Sequence, residues 1–100
     1  METEQDRELA DKLSDDEVLG LKIKWGDSYR LSELVRMEKL YSDMMASYDI
    51  QTAGHKDILI LACKTSLKTN QFLDAGDIEA AQKSSKMYDT LMKSGKFTAA

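Results

Sequence analysis

The chain has 100 residues, 42% of them hydrophobic, and it contains no proline. This length fits one domain or a fragment of one, and the apolar content is enough for a hydrophobic core, which excludes general disorder. Because proline is the strongest helix breaker, its absence favours helices, and we predict an all-α fold: a small antiparallel bundle of about four helices with a C-terminal αα-hairpin.

Cysteine and histidine are too few for a disulfide-stapled or zinc-bound fold. Cys63 is the only cysteine and His55 the only histidine, so an internal disulfide is excluded and a structural zinc site lacks ligands. His55 has no second histidine with which to share a metal. The apolar neighbours of Cys63 should keep its thiol unreactive. We expect a protein without enzyme activity, cofactor, metal or small-molecule substrate.

The excess of acidic residues is concentrated at the N-terminus, and the net charge of the whole chain is −4. Residues 1–20 hold eight acidic and two basic side chains, which is unlike a basic signal peptide, and no apolar run approaches the roughly 20 residues of a membrane span. We therefore expect a cytoplasmic protein that makes no membrane contact. Since few apolar residues precede Ser14, we expect residues 1–13 to be a mobile acidic leader and residues 14–100 to form a single helical domain.

The first two predicted helices follow capping signals. Ser14 and Glu17 have the spacing of a capping box, which predicts a short helix that ends at Trp25. After a glycine turn, Ser32 is the expected cap of a longer helix that runs to about Tyr48. Apolar residues recur along this second helix at helical spacing; they are Leu34, Met37, Leu40, Tyr41, Met44 and Tyr48.

The third predicted helix covers about residues 53–75, with Thr52 as its cap. Residues 58–63 are apolar on nearly all sides of this helix. They predict either the centre of the bundle or half of a subunit contact. A short apolar run could also form a strand, but the chain offers no pairing partner of similar composition.

A hairpin closes the predicted fold. Gly76 can adopt the left-handed conformation that ends a helix, and Asp77 can cap the next helix, over about residues 78–94. Small residues follow the turn and allow the two helices to approach closely. Residues 97–100 contain no residue pattern that marks the end of a helix or a domain. This favours the interpretation that the chain is a piece of a longer protein.

Apolar side chains on these helices predict a surface for self-association and for a protein partner. Methionines adapt to irregular surfaces, and aromatic residues beside a turn can anchor a partner, although both types also serve as ordinary core. The predicted interface consists of Ile58, Leu59, Leu61, Met44, Met45, Trp25 and Tyr29.

Lysines recur along the last two predicted helices at steps of three, four or seven residues. Such a row can follow phosphate groups, but it includes no arginine or aromatic residue that would read or stack on bases, and a solvated helix face is the alternative. The candidate nucleic-acid contacts are Lys64, Lys68, Lys83 and Lys86.

Several short motifs between residues 22 and 100 give the chain a resemblance to tailed-bacteriophage proteins of DNA packaging, in particular to terminase small subunits. The resemblance implies a non-enzymatic, oligomeric factor in the cytoplasm of an infected bacterial host. Terminase small subunits generally carry an N-terminal helix-turn-helix for DNA, whereas this N-terminus is short and acidic. The motifs are Lys24-Trp25-Gly26 with Tyr29, Leu40-Tyr41, Tyr48-Asp49-Ile50, Lys64-Thr65-Ser66-Leu67-Lys68 and the last nine residues, Met92 to Ala100.

Two functions follow as hypotheses. The first is a self-associating helical interaction protein that acts in phage DNA packaging or virion assembly. The second is a phage-encoded inhibitor whose acidic leader, from Glu2 to Glu17, occupies a basic surface on a host protein.

Overall fold

The computed structural model describes residues 3–100, and this part of the chain is all-α, as predicted. The only extended pairing within residues 3–100 is an isolated bridge between Tyr48 and Ala99. Five helices are present in this described part of the chain, where about four were expected. They are α1 (Glu4–Lys12), α2 (Asp15–Trp25), α3 (Leu31–Ser47), α4 (Ala53–Asp74) and α5 (Ile78–Gly95).

Contacts divide the described chain into two units, with the boundary inside α3 after Lys39. The first unit contains α1, α2 and the first turns of α3, and the second, Leu40–Ala100, contains the rest of α3 with α4 and α5. A division by contacts does not measure which parts fold independently. The single domain expected over residues 14–100 therefore stays a prediction.

The additional helix, α1, lies in the segment that we expected to be a mobile leader. Thr3 and Asp6 form a capping box, in which the Asp6 N–H donates to the Thr3 hydroxyl at 3.2 Å and the Thr3 N–H donates to the carboxylate at 2.8 Å. The buried Asp6 carboxylate also accepts the backbone N–H of Ser32 at 2.8 Å. The segment differs from the expectation because Asp6 ties it to the start of α3. Residues 1 and 2 of the leader lie outside the described residues.

The cap predicted for α2 is confirmed, and the cap predicted for α3 is wrong. The Glu17 N–H donates to the Ser14 hydroxyl at 3.1 Å, and the Ser14 N–H donates to the Glu17 carboxylate at 3.0 Å; these bonds lower the pKa of Glu17. Ser32 lies inside the first turn of α3, which begins at Leu31. Its N–H has no partner earlier in the same helix, and Asp6 supplies the acceptor from a distant position.

The predicted helical hairpin is confirmed at its turn. Gly76 has φ 78°, and the Asp77 N–H and Gly76 N–H donate to the carbonyls of Phe72 and Leu73 at 2.9 and 3.1 Å. This pattern is a Schellman motif, which needs a left-handed residue where glycine stands. The Asp77 carboxylate then accepts the Ala80 N–H at 3.1 Å and caps α5.

Helices α4 and α5 pack antiparallel against each other. Thr69 Oγ1 lies 2.6 Å from Ser84 Oγ near the turn, and His55 contacts Gly95 at the opposite end. The apolar side chains of α4 that are buried recur at helical spacing; they are Leu59, Ala62, Cys63 and Leu67, and the polar Thr65 is buried beside them. On α5, Ala81 is buried and Tyr88 half-buried, and burial raises the pKa of the Tyr88 hydroxyl.

The last residues fold back onto the segment between α3 and α4. The Asp49 N–H donates to the Thr98 carbonyl at 2.9 Å, and the Ala100 N–H donates to the Ser47 carbonyl at 3.1 Å. The Phe97 ring lies 5.0 Å from His55 and 5.6 Å from Tyr48, centroid to centroid. This aromatic cluster closes the open end of the α4–α5 hairpin.

Candidate partner-binding groove

A groove of about 440 Å³ opens along the surface between α4 and α5, within the second unit. Its residues come from alternate turns of both helices, because side chains three or four positions apart share one face. Those from α4 are Lys64, Thr65, Lys68 and Phe72, and those from α5 are Ala80, Lys83, Ser84 and Met87. We call this feature the α4–α5 groove.

Hydroxyl groups at the groove form hydrogen bonds within α4 and between α4 and α5. The Thr65 hydroxyl donates to the Leu61 carbonyl at 2.8 Å, and the Ser84 hydroxyl lies 3.2 Å from the Thr65 carbonyl and 2.6 Å from Thr69 Oγ1. Because these polar groups have partners within the hairpin, they have little capacity left for a ligand. The chemistry that the groove offers is therefore apolar surface with lysine at its edges.

The charges at the groove are positive. Lys64, Lys68 and Lys83 line it, whereas no acidic side chain does. Glu79, one turn before Lys83 and outside the lining, lies 3.3 Å from the Lys83 ammonium, and both side chains are largely exposed. Exposed ion pairs of this kind contribute little to stability. The groove is thus suited to a ligand that carries negative charge beside apolar atoms.

Three of the four lysines predicted as nucleic-acid contacts meet at this groove. Lys64 and Lys68 lie one turn apart on α4, and Lys83 faces them from α5. Lys86 is exposed on α5 but does not line the groove. No observation tests nucleic-acid binding, which stays a prediction.

Two residues of the predicted interface are internal. Leu59 has no exposed surface, and Trp25 is 1% exposed with its indole N–H donating to the Glu38 carboxylate at 3.0 Å. Lys24 also pairs with Glu38, at 2.9 Å. Since a partner cannot reach either side chain in this structure, we reassign Leu59 and Trp25 to the buried interior.

The other predicted interface residues retain some accessible surface. Leu61 is 45% exposed, and the rest are half-buried; they are Tyr29, Met44, Met45 and Ile58. The apolar run on α4 therefore divides, because Leu59, Ala62 and Cys63 turn inward while Leu61 turns outward. Whether the outward residues bind a partner stays a prediction.

Two further apolar features are exposed. Leu19 and Ile23, which sequence reasoning did not assign to a surface, are 56% and 77% exposed on α2. Met87, 59% exposed, lines the α4–α5 groove. Its residue type had suggested such a place, because methionines can line an adaptable binding groove, although ordinary core was the alternative.

The residues that sequence analysis considered as metal ligands or nucleophiles lie apart from one another in the described chain. Within residues 3–100, no three His, Cys, Asp or Glu side chains gather where they could hold a metal ion. Cys63 is buried, and His55 contacts the Gly95 carbonyl and the Phe97 ring. None of the helices in this part of the chain is both long and apolar enough to cross a membrane.

Comparison with known proteins places the hairpin and its groove in a family. Residues 29–100 match the YonG second domain, a phage-associated family, and this match includes all of α3, α4 and α5. Searches of curated proteins and of solved structures give no match. Because the match covers well over half of the chain, the protein belongs to the YonG second-domain family and is a phage protein.

Proposed function

We propose that this phage protein is a non-enzymatic interaction protein that self-associates and acts in DNA packaging or virion assembly, as the terminase small subunits it resembles do. The α4–α5 groove carries the proposal. It lies within the family domain and combines apolar surface from Phe72 and Met87 with the three lysines. Such a surface binds another macromolecule more readily than it performs a reaction.

Exposed apolar side chains around the hairpin support association. Leu61, Leu73, Ile78 and Met87 on α4 and α5 are each 45–59% exposed. Isolated exposed residues are common on monomers, but several large ones on a single hairpin favour a surface that a partner covers. Self-association would remove part of this surface from water.

Phosphate contact is a second use for the same lysines. Lys64, Lys68 and Lys83 line one groove, and each contact with a phosphate would release a counterion. The Phe72 side chain is half-buried rather than presented as a stacking platform. For this reason we rank a protein ligand above DNA.

The inhibitor hypothesis depends on α1 and on the start of α2. Glu4, Glu8 and Asp11 are exposed on α1, whereas Asp6 is already used inside the structure. If the protein inhibits a host factor, these three carboxylates of α1 are available to it, as are the exposed Asp15 and Asp16 at the start of α2. Reversing the charge of Glu4, Glu8 and Asp11 to lysine should then weaken host-protein capture while self-association persists.

The test has a solution part and a phage part. We expect sedimentation equilibrium to give a mass above the 11.3 kDa monomer that rises with concentration. In the phage that encodes the protein, we expect Lys64, Lys68 and Lys83 all changed to Glu to yield heads without DNA or to prevent head assembly. A monomer at every concentration, together with normal yields of filled heads from this variant, would overturn the proposal.

A further inference from the structure

Helix α2 presents an unusual outer face. Ile23 and Leu19, one turn apart, are 77% and 56% exposed, and Asp15 lies one turn before Leu19 on the same side. Gly20 beside them leaves open space, since a Cβ placed there would meet nothing within 4 Å. We call this row of Asp15, Leu19 and Ile23 the α2 stripe. It is acidic at its start and apolar along the rest.

The α2 stripe and the α4–α5 groove are complementary in chemistry. The stripe begins with Asp15 and Asp16 and offers two branched apolar side chains, while the groove offers three lysines around Phe72 and Met87. Opposite charges at the rim of an apolar contact favour one partner over others and fix its register. Every copy of the chain carries both surfaces.

We infer that the α2 stripe of one copy docks into the α4–α5 groove of a second copy, an inference that rests on the proposed self-association. Leu19 and Ile23 contact the groove's apolar surface, and Asp15 and Asp16 approach its lysines. The family match begins at residue 29, so the docking helix precedes the family domain that contains the groove.

This contact is heterologous, which determines the kind of assembly. A stripe and a groove are different surfaces, so each copy keeps one free stripe or one free groove after pairing. Contacts of this type close into rings or continue as filaments. A helix of 11 residues is only about 16 Å long, so the contact is smaller than a standard interface and its affinity should be modest.

Two single substitutions test the inference, each on an exposed residue so that folding is retained. Ile23→Asp damages the stripe and Met87→Asp damages the groove. Each variant alone should sediment as a monomer where the wild-type chain associates, with the dissociation constant raised at least about tenfold. Circular dichroism checks that both variants keep their helices.

Mixing the two variants gives the sharpest readout. The Ile23→Asp copy keeps an intact groove and the Met87→Asp copy keeps an intact stripe, so the mixture should form a one-to-one dimer and grow no further. An isologous contact between identical surfaces cannot produce this complementation. Failure of the mixture to pair would overturn the inference.

Ser85→Asp serves as the matched control, because Ser85 is exposed on α5 and does not line the groove. It should leave association unchanged. Leu61→Asp tests the alternative contact at residues 58–63, where Leu61 is 45% exposed. If Leu61→Asp abolishes association and the stripe and groove variants do not, the contact lies at residues 58–63; the docking inference is then overturned and the proposed function stands. If the wild-type chain stays monomeric at every concentration, the docking inference and the self-association on which it rests are both overturned, and the yield of filled heads decides the role in packaging or assembly.

Discussion

The Asp6 carboxylate caps α3 by accepting the backbone N–H of Ser32, 26 residues later in the chain, at 2.8 Å. Its second oxygen accepts the Thr3 N–H at 2.8 Å. A single side chain therefore satisfies donors at the starts of two helices, where the helix dipoles also favour a negative charge. We therefore expect the stability of the first unit to depend strongly on Asp6, although this residue lies near the N-terminus.

We predict that Asp6→Ala lowers the free energy of unfolding of the first unit. The substitution leaves N–H groups at two helix starts without their acceptor. Trp25, the only tryptophan, is buried in this unit, so its fluorescence during urea unfolding reports the change. Asp6→Asn is the control, because it keeps one acceptor oxygen and should fall between Asp6→Ala and wild type. Identical urea midpoints for all three would contradict the prediction.

The lowered pKa of Asp6 predicts that the stability of the protein depends on pH in the acidic range. Hydrogen bonds from Ser32, and then from Thr3, hold the pKa of Asp6 well below its ordinary value of 3.8. Because the unfolded chain takes up the proton first, the stabilisation is complete above the ordinary pKa and is lost as pH falls from about 4 towards the lowered one. The gap in stability between wild type and Asp6→Asn should therefore stay constant from about pH 6 to about pH 5 and narrow as pH falls from about 4 to about 2.5. A constant gap would show that the carboxylate has its ordinary pKa in the folded protein.

Leu59 and Leu61 should respond very differently to truncation, although they stand two positions apart. Leu59→Ala removes a fully buried side chain and should cost about 2–5 kcal/mol of unfolding free energy. Leu61→Ala changes an exposed side chain and should stay within about 0.5 kcal/mol. Chemical denaturation followed by circular dichroism measures both. Equal costs would mean that α4 is rotated relative to the orientation described above.

Cys63 should be unreactive in the native protein. Its thiol is buried in α4, so a thiol reagent such as DTNB reaches it only when the hairpin opens, and the observed rate then follows the population of opened protein. Cys63 in urea-unfolded protein is the control and should react at once. A native-state rate close to that of the unfolded chain would show that α4 opens locally.

Local signals in the sequence were enough to predict most of the helix ends. Ser14, Thr52 and Asp77 each cap a helix through a backbone N–H three residues later, at 3.1 Å, so both partners stand within one short stretch. Gly76 is similar, because its turn closes over six consecutive residues. The Asp6–Ser32 bond differs, since nothing in the sequence near Ser32 indicates an acceptor 26 residues earlier.

The start of α1 could have been read from the sequence. Thr3 and Asp6 have the capping-box spacing, with Asp in place of the usual Glu or Gln. The density of acidic residues favoured a mobile leader instead. The prediction of a mobile leader gave the acidic residues more weight than the capping-box spacing of Thr3 and Asp6, and the structure contains that capping box.

The lysines of the candidate groove could be predicted from the sequence, but the groove itself could not. Lysine periodicity indicated basic rows on two helices, but the position at which the rows meet depends on how far α5 is shifted along α4. Thr65–Met87 and Thr69–Ser84 contacts define that register. Sequence could not predict which of Leu59 and Leu61 faces the interior. Residues 58–63 are apolar on nearly all sides of the helix, so their periodicity does not identify the inward face.

Gly95 has a consequence for the evolution of this hairpin. A Cβ at position 95 would lie 2.6 Å from the Phe97 ring, so even alanine would push that ring away from His55 and Tyr48. The absence of one methyl group thus permits the terminal residues to settle beside Tyr48. Random mutagenesis scored by resistance to carboxypeptidase digestion should recover almost no replacement at position 95, whereas neighbouring Ser94, which is exposed, should tolerate many.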